Sequence, residues 1–224
     1  MFLNNLFFKS KCFICSRFSN KTICNSCVNQ IHKIPNIHCN ICKSVSIKDN
    51  VCLECLKINP VFKKLITVGI YNGLIKTLIY DYKYQGIKKL YEPLSYLLIE
   101  EVKKELDFKI DIITSIPLSK EKILSRGFNQ SELIARETSK KLKIQYIDLF
   151  ERVRDTKAQF SLTAEERKEN LKNAFLLKTK KLENKEILII DDIFTTGSTI
   201  QEVSSLLLPY TKEIYIATLA RTLL

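Results

Sequence analysis

Two parts of the chain combine residue types and spacings that could do chemistry. The first lies near the C-terminus, in "ILIIDDIFTTGST" from Ile187 to Thr199. Apolar residues run straight into two adjacent carboxylates, Asp191 and Asp192. Two more apolar residues follow, and then Thr195, Thr196, Gly197, Ser198 and Thr199. Apolar side chains from Ile187 to Ile190 bury a strand, and its C-terminal end delivers two acceptors suited to vicinal sugar hydroxyls. A helix starting after the hydroxyl-rich turn offers backbone N–H groups, and Gly197 permits close approach, so the turn is a cradle for a phosphate monoester. A diol grip beside a phosphate cradle describes a ribose 5-phosphate. On chemistry alone, an acidic turn capped by threonines accounts for the stretch equally well.

The second part is a run of four C-x-x-C pairs: Cys12/Cys15, Cys24/Cys27, Cys39/Cys42 and Cys52/Cys55. Two residues between cysteines let both sulfurs reach one metal, and two such knuckles close a tetrahedral site. Two structural Zn²⁺ ions are therefore expected. Sequential pairing into two ribbons is the simplest arrangement, and a cross-braced pairing fits the same spacing. Disulfides suit an exported chain, and redox C-x-x-C chemistry comes as a single pair beside a βαβ unit. His32 and His38 are expected at the surface, because eight thiolates already fill two sites.

All eight cysteines fall within the first 55 of 224 residues. This composition shift sets two expected domains, 1–60 and 61–224. Each half of the zinc module has too few apolar residues for a core of its own and needs its metal to fold. The net charge of +12 points to an anionic partner. Two Zn²⁺ with eight thiolates remove four charges from the module, so its formal +6 falls to about +2. Five of the seven arginines (Arg126, Arg136, Arg152, Arg154, Arg167) lie between positions 126 and 167. That stretch is a candidate phosphate-facing region, since arginine presents a fixed donor fork.

Hydrophobic content of 46% and a mean hydropathy of −0.04 indicate a globular chain with a real core. No apolar run approaches the roughly 18–20 residues of a membrane helix. "MFLNNLFF" lacks a basic segment before it and is read as a packing strand or hook. Cytoplasmic residence without membrane insertion is expected.

Beyond residue 60, strands and helices alternate. "LITVGIY" reads as a strand. Leu90, Leu94, Leu98, Val102 and Leu106 mark a helix over 88–106. "IDIITSIP" is a second strand, Asn129 with Glu132 caps a helix through Lys141, and "EILIID" is a third strand. A helix from Ser198 to about Leu208 and the strand "IYIATLA" follow. This alternation predicts an α/β domain with a mostly parallel sheet and helices on both faces. Ligands of such sheets bind beyond the carboxyl ends of the strands. Tyr80, Tyr82 and Tyr84 are read as partly core, because they alternate as a strand or sheet-packing face would, although interleaved aromatics also suit single-strand binding.

"IIDDIFTTGST" resembles the phosphoribosyl pyrophosphate (PRPP) signature of type I phosphoribosyltransferases. With "YKYQG" (Tyr82 to Gly86), "RGFNQSELIAR" (Arg126 to Arg136), "RDTKAQFSLTAEERKENLKNAF" (Arg154 to Phe175) and "TLART" (Thr218 to Thr222), behind four C-x-x-C pairs, the chain resembles the ComF/GntX family. The resemblance implies that Asp191 and Asp192 hold the ribose hydroxyls and that Thr195, Thr196, Gly197, Ser198 and Thr199 hold the 5′-phosphate. It places a pyrophosphate loop at Ser115, Ile116 and Pro117 through Ser119. Here the family's usual P-x-P becomes "SIPLSKEK", which loses a proline and loosens the loop. Residues 154–171 correspond to a mobile hood, with a capping box at Thr163 and Glu166. Arg154, Gln159, Arg167 and Asn170 match its polar positions, and Arg126 is a further candidate for PRPP.

The implied reaction displaces pyrophosphate from PRPP through an oxocarbenium-like transition state, with Mg²⁺ on the pyrophosphate. No nucleophilic side chain is needed, so the lack of a Ser-His-Asp set or catalytic cysteine does not count against an enzyme. The family role implies handling of incoming single-stranded DNA during natural transformation, alongside a competence helicase or other DNA-processing proteins. A nucleobase phosphoribosyltransferase of salvage and a non-catalytic PRPP or nucleotide sensor are the alternatives.

Overall fold

The computed structural model describes residues 11–45, 49–106, 109–154 and 173–223. The N-terminal "MFLNNLFF" and hood positions Gln159, Thr163, Glu166, Arg167 and Asn170 lie outside the described residues.

A five-stranded sheet organises the chain from residue 64 onward. Its strands are β1 (Lys64–Ile70), β2 (Ile112–Ser115), β3 (Gln145–Tyr146), β6 (Glu186–Phe194) and β7 (Glu213–Arg221). They lie in the order β1-β7-β6-β2-β3, all parallel. The short strands β4 (Phe150–Arg152) and β5 (Phe175–Leu177) form a separate antiparallel pair. Central strands bury both faces, which is why "ILII" reads as a continuous apolar run rather than an alternation; Ile187 to Ile190 are all fully buried.

Helices cover both faces as the alternation predicted. The helices α3 (Gly73–Tyr84), α4 (Tyr91–Glu105) and α6 (Gln130–Leu142) share one core with Ile66, Val68, Leu188 and Ile190. On the other face Ile187, Ile189 and Ile216 pack with Ile200, Val203 and Leu207 of the last helix, α7 (Ser198–Leu207). The expected helix over 88–106 divides into a 3₁₀ turn at Lys88–Leu90 and then α4, with Pro93 in its first turn. Asn129 caps α6 as expected, its Oδ1 accepting from the Ser131 and Glu132 N–H groups. Glu132 does not complete the box; its carboxylate accepts from Arg136 Nε at 2.8 Å.

One sequence expectation holds only in part: the tyrosines are partly core, but not on a strand. Tyr80, Tyr82 and Tyr84 lie on α3, not on a strand, because the apolar residues Ile75, Leu78, Ile79 and Tyr82 follow helical spacing. Tyr82 is fully buried, while Tyr80 and Tyr84 are exposed. One turn apart, their rings approach to 5.2 Å between centroids.

The cysteine-rich segment packs on the sheet instead of standing apart. It has only the short helices α1 (Asn25–Val28) and α2 (Leu53–Ile58). Strand β1 is an edge strand, and this segment covers it. Leu65 N–H donates to Ile41 O (2.7 Å) and Ile70 N–H to His32 O (2.8 Å). Gly69 is required by that contact, since a Cβ there would sit 2.5 Å from His32 O. Lys43 and Lys64 both pair with Glu105 of α4, at 2.9 and 2.6 Å. Edge N–H and C=O groups that would template other strands are thus occupied.

Candidate phosphoribosyl site and metal centres

The site forms because the strands around β6 end at different heights. Strand β2 pairs with β6 only as far as Ser115↔Ile190. Strand β7 continues alongside β6 to Phe194↔Arg221. Asp191 and Asp192 therefore lie within β6, not past its end, but at the level where β2 has stopped and the sheet opens on one side. This is the carboxyl edge at which open parallel sheets bind ligands.

The two carboxylates have different surroundings. Asp191 Oδ1 accepts from Ser131 Oγ (2.9 Å), at the start of α6, and from the Asp192 N–H (2.9 Å). Burial, reinforced by the charge of Asp192, pushes the Asp191 carboxyl up to about 7, against those two hydrogen bonds and the charge of Lys83. Asp192 pairs with Lys83 Nζ of α3, at 2.8 Å, and both side chains are mostly buried. Lys122, on α5 (Lys120–Arg126), has its ammonium lowered by burial and then by Arg152, Arg126 and Lys83, with Asp192 opposing. Lys83 thus meets Asp192 directly, and Lys122, Arg126 and Arg152 add positive charge to the surroundings. Positive surroundings suit a polyanion.

Beyond the aspartates lies the loop expected to hold a phosphate. Gly197 adopts φ +79°, and a Cβ there would lie 2.6 Å from Phe194 Cζ. It occupies the N-cap of α7 and offers no side chain to cap it. A helix start of this kind suits an anion. Thr196 and Ser198 share a hydroxyl–hydroxyl bond of 2.9 Å across the glycine. Thr195, Ser198 and Thr199 are half-buried beside them.

The loop after β2 is more constrained than expected. Ser115 is buried and shares a 3.0 Å hydrogen bond with the Tyr146 hydroxyl. Ile116 is also buried; its N–H donates to Ile190 O (3.2 Å) and its carbonyl accepts from Asn129 Nδ2 (3.0 Å). Pro117 has no N–H. Past Ile116 and Pro117, the next backbone N–H in this loop is that of Leu118, and Ser119 is engaged as the N-cap of α5. Arg126 closes α5, donating to Gln130 Oε1 (3.1 Å) and lying 5.0 Å over the Tyr84 ring. Arg154 is exposed just beyond β4, its carbonyl accepting from Arg152 Nε (3.4 Å).

Lys83, Ser131 and Lys122 were not selected from the sequence as ligands of this site, whereas Arg152 was among the five clustered arginines. Lys83 and Ser131 do fall inside "YKYQG" and "RGFNQSELIAR", but only the fold brings them to the aspartates.

The cysteines assemble into two groups, Cys12/Cys15/Cys24/Cys27 and Cys39/Cys42/Cys52/Cys55, with all sulfurs of a group within 4.8 Å of one another. Pairing is sequential, and all eight thiols are free of disulfides. The Cys12–Cys27, Cys15–Cys24 and Cys42–Cys52 sulfur separations are 3.8, 3.6 and 3.6 Å. A tetrahedron with metal–sulfur bonds of about 2.3 Å has edges of about 3.8 Å, so both groups fit a divalent ion. His32 is exposed, and half-buried His38 bonds to Pro35 O and Lys43; neither joins a cluster.

Residues 123–223 match the phosphoribosyl transferase domain. Competence protein F of Haemophilus influenzae is 32% identical over 212 residues, covering 90% of this chain and 92% of that protein. The chain belongs to the ComF/GntX family. This ComF/GntX chain is also 34% identical to the DNA utilization protein YhgH of Escherichia coli K12, over 88% of itself and 83% of YhgH. Competence protein ComFC of Streptococcus pneumoniae is 29% identical, over 85% of this chain and 83% of that one. Among solved structures, adenine phosphoribosyltransferase of Thermoanaerobacter pseudethanolicus is similar with a TM-score of 0.37 and 17% identity, covering 61% of this ComF/GntX chain and 83% of that chain. Among the described residues no helix is long and apolar enough to cross a membrane.

Proposed function

We propose that residues 61–224 bind PRPP or a related ribose 5-phosphate ligand, and that the protein acts in the cytoplasm on single-stranded DNA during DNA uptake. The observation that carries the first half is the pairing of Asp191 and Asp192 with an uncapped, glycine-dependent helix start at Thr195–Thr199. In this reading the carboxylates accept from the ribose hydroxyls and the α7 N–H groups hold the 5′-phosphate. Lys83, Lys122, Arg126 and Arg152 face the pyrophosphate. Mg²⁺ would spread the charge of that pyrophosphate as it leaves. The second half is supported by the names of the relatives, a competence protein and a DNA utilization protein, and by the net charge of +12. Residues 1–60 would hold two structural Zn²⁺ ions in the cysteine groups. A competence helicase or another DNA-processing protein is the expected partner.

The test is calorimetric titration of PRPP with Mg²⁺ into the wild type and the Asp191→Asn/Asp192→Asn variant. Single-stranded DNA is titrated into both at two salt concentrations. PRPP binding lost in the variant supports the ribose site and opens a screen for a nucleobase acceptor, the salvage alternative. DNA binding with a steep salt slope but no PRPP binding would leave the fold as a scaffold.

A further inference from the structure

Arg221, the last residue of β7, is 4% exposed, and its Nε and Nη1 have no hydrogen-bond partner among the described residues. The guanidinium lies 5.2 Å from the centroid of the Phe194 ring. A guanidinium cannot shed its proton, and a buried charge without compensation is strongly unfavourable. Some negative charge must answer it.

The candidates are few. Arg221 borders a cavity of about 290 Å³ that is also lined by Cys42, Cys52, Cys55, Phe194 and Gly197. The carboxylate among the lining residues is Glu54, which is exposed on α2. Two sources remain: a phosphate at the proposed Thr195–Thr199 loop, of which Thr195, Thr196 and Gly197 line the same cavity, and the sulfur cluster, since four thiolates around a divalent ion carry a net charge of −2. Of the two, the cluster is the one that belongs to the folded protein with or without ligand. The two cysteine groups also differ in their need for a counter-charge. In the first, Cys15 and Cys24 are half-buried and within reach of water. All four cysteines of the second are buried.

We propose that Arg221 is the outer-sphere counter-ion of the second tetra-cysteine centre. It offsets the charge of a metal held by Cys39, Cys42, Cys52 and Cys55 where solvent does not. The same residue ties that centre to the phosphate loop. Arg221 pairs with Phe194 across β6 and β7, Thr222 N–H donates to Phe194 O (2.9 Å), and the Phe194 ring fills the space where a Cβ on Gly197 would stand.

The test measures Zn²⁺ affinity by chelator competition in the full chain, for wild type, Arg221→Gln and Arg221→Lys. Arg221→Gln should weaken one of two zinc equivalents by about 10- to 100-fold, the usual effect of losing an outer-shell partner, and leave the other unchanged. Arg221→Lys keeps the charge and should stay within a few-fold of wild type. Unchanged affinity for both equivalents in Arg221→Gln overturns the proposal. So does an Arg221→Lys variant as weak as Arg221→Gln, or, should Arg221→Gln not fold, as weak as a variant lacking a cysteine ligand. Inorganic phosphate is titrated in parallel. Phosphate binding lost in Arg221→Gln with zinc affinity intact would assign the cavity to an anion instead. The inference rests on metal occupancy of the second centre, and failure of that reading is distinct: the wild type itself would take up fewer than two zinc equivalents.

Discussion

Lys83 Nζ of α3 lies 2.8 Å from Asp192 Oδ2 of β6, with both side chains about seven-eighths buried. The pair joins the helix carrying the exposed Tyr80 and Tyr84 to the strand carrying the carboxylates. Removing one partner of a buried pair leaves the other charge uncompensated, which costs more than the pair itself contributes. Lys83→Met should therefore destabilise the protein by about 2–3 kcal/mol at pH 8 in urea unfolding. Adding Asp192→Asn should restore most of that loss. A double variant no more stable than Lys83→Met would mean that Lys83 acts through packing.

Asp191 gives the site a pH dependence of definite sign. Its folded carboxyl is raised to about 7 by burial and by Asp192, above the ordinary value near 4. The native state therefore holds this proton more tightly than the unfolded chain, so its contribution to stability is present at low pH. The contribution fades as pH rises towards 7, where the buried group must ionise. Asp191→Asn keeps an acceptor for Ser131 and removes that ionisation. It should be neutral at pH 4.5 and stabilising at pH 8 by on the order of 1–3 kcal/mol, while weakening PRPP. Thermal unfolding at the two pH values checks it; equal effects at both would show that Asp191 titrates normally.

The contrast between these two aspartates marks how far the sequence could be read. The strand "ILIID", the α7 start at Ser198 and the tetra-cysteine spacing were legible because burial, helix initiation and metal binding each impose a local pattern. Nothing local pairs Lys83 with Asp192 or sets Ser131 on Asp191; those contacts span 109 and 60 positions and exist only once α3 and α6 pack on one face of the sheet. The Tyr80–Tyr84 segment misleads for a related reason. Residues spaced by two look like a strand until the apolar positions on either side are counted at helical spacing. Arg221 falls inside the resemblance motif "TLART" but nothing there gave it a role, since an arginine reads as solvated until its burial is known.

Gly197 tests the loop directly. Its φ of +79° disfavours any side chain, and a Cβ meets the Phe194 ring at 2.6, 3.2 and 3.3 Å. Phe194 is itself fixed by Phe62, 6.1 Å away edge-on, and by Arg221. Gly197→Ala should cost about 1–3 kcal/mol and reduce affinity for ribose 5-phosphate at least tenfold, because the loop must shift away from Phe194. A variant that loses stability but keeps wild-type affinity in calorimetry would remove the loop from the phosphate site.

Metal removal should reach well beyond the cysteine segment. Cys12, Ile23, Cys27 and Ile31 share a core with Ile66, Val68 and Tyr82, and Cys39, Cys42 and Cys55 share the other with Leu65, Phe62 and Ile216. The same segment covers the edge of β1 through Ile41 O and His32 O. Ribbons of this kind lose their fold with their metal, so chelation would uncover apolar surface on both faces and open an edge strand. The expected result is a single calorimetric transition shifted down by 10 °C or more, on the scale of about 2–4 °C per kcal/mol for a chain of this size, with aggregation after chelation. Two separable transitions, the second unmoved by chelator, would show instead that residues 61–224 hold their fold without the metal module.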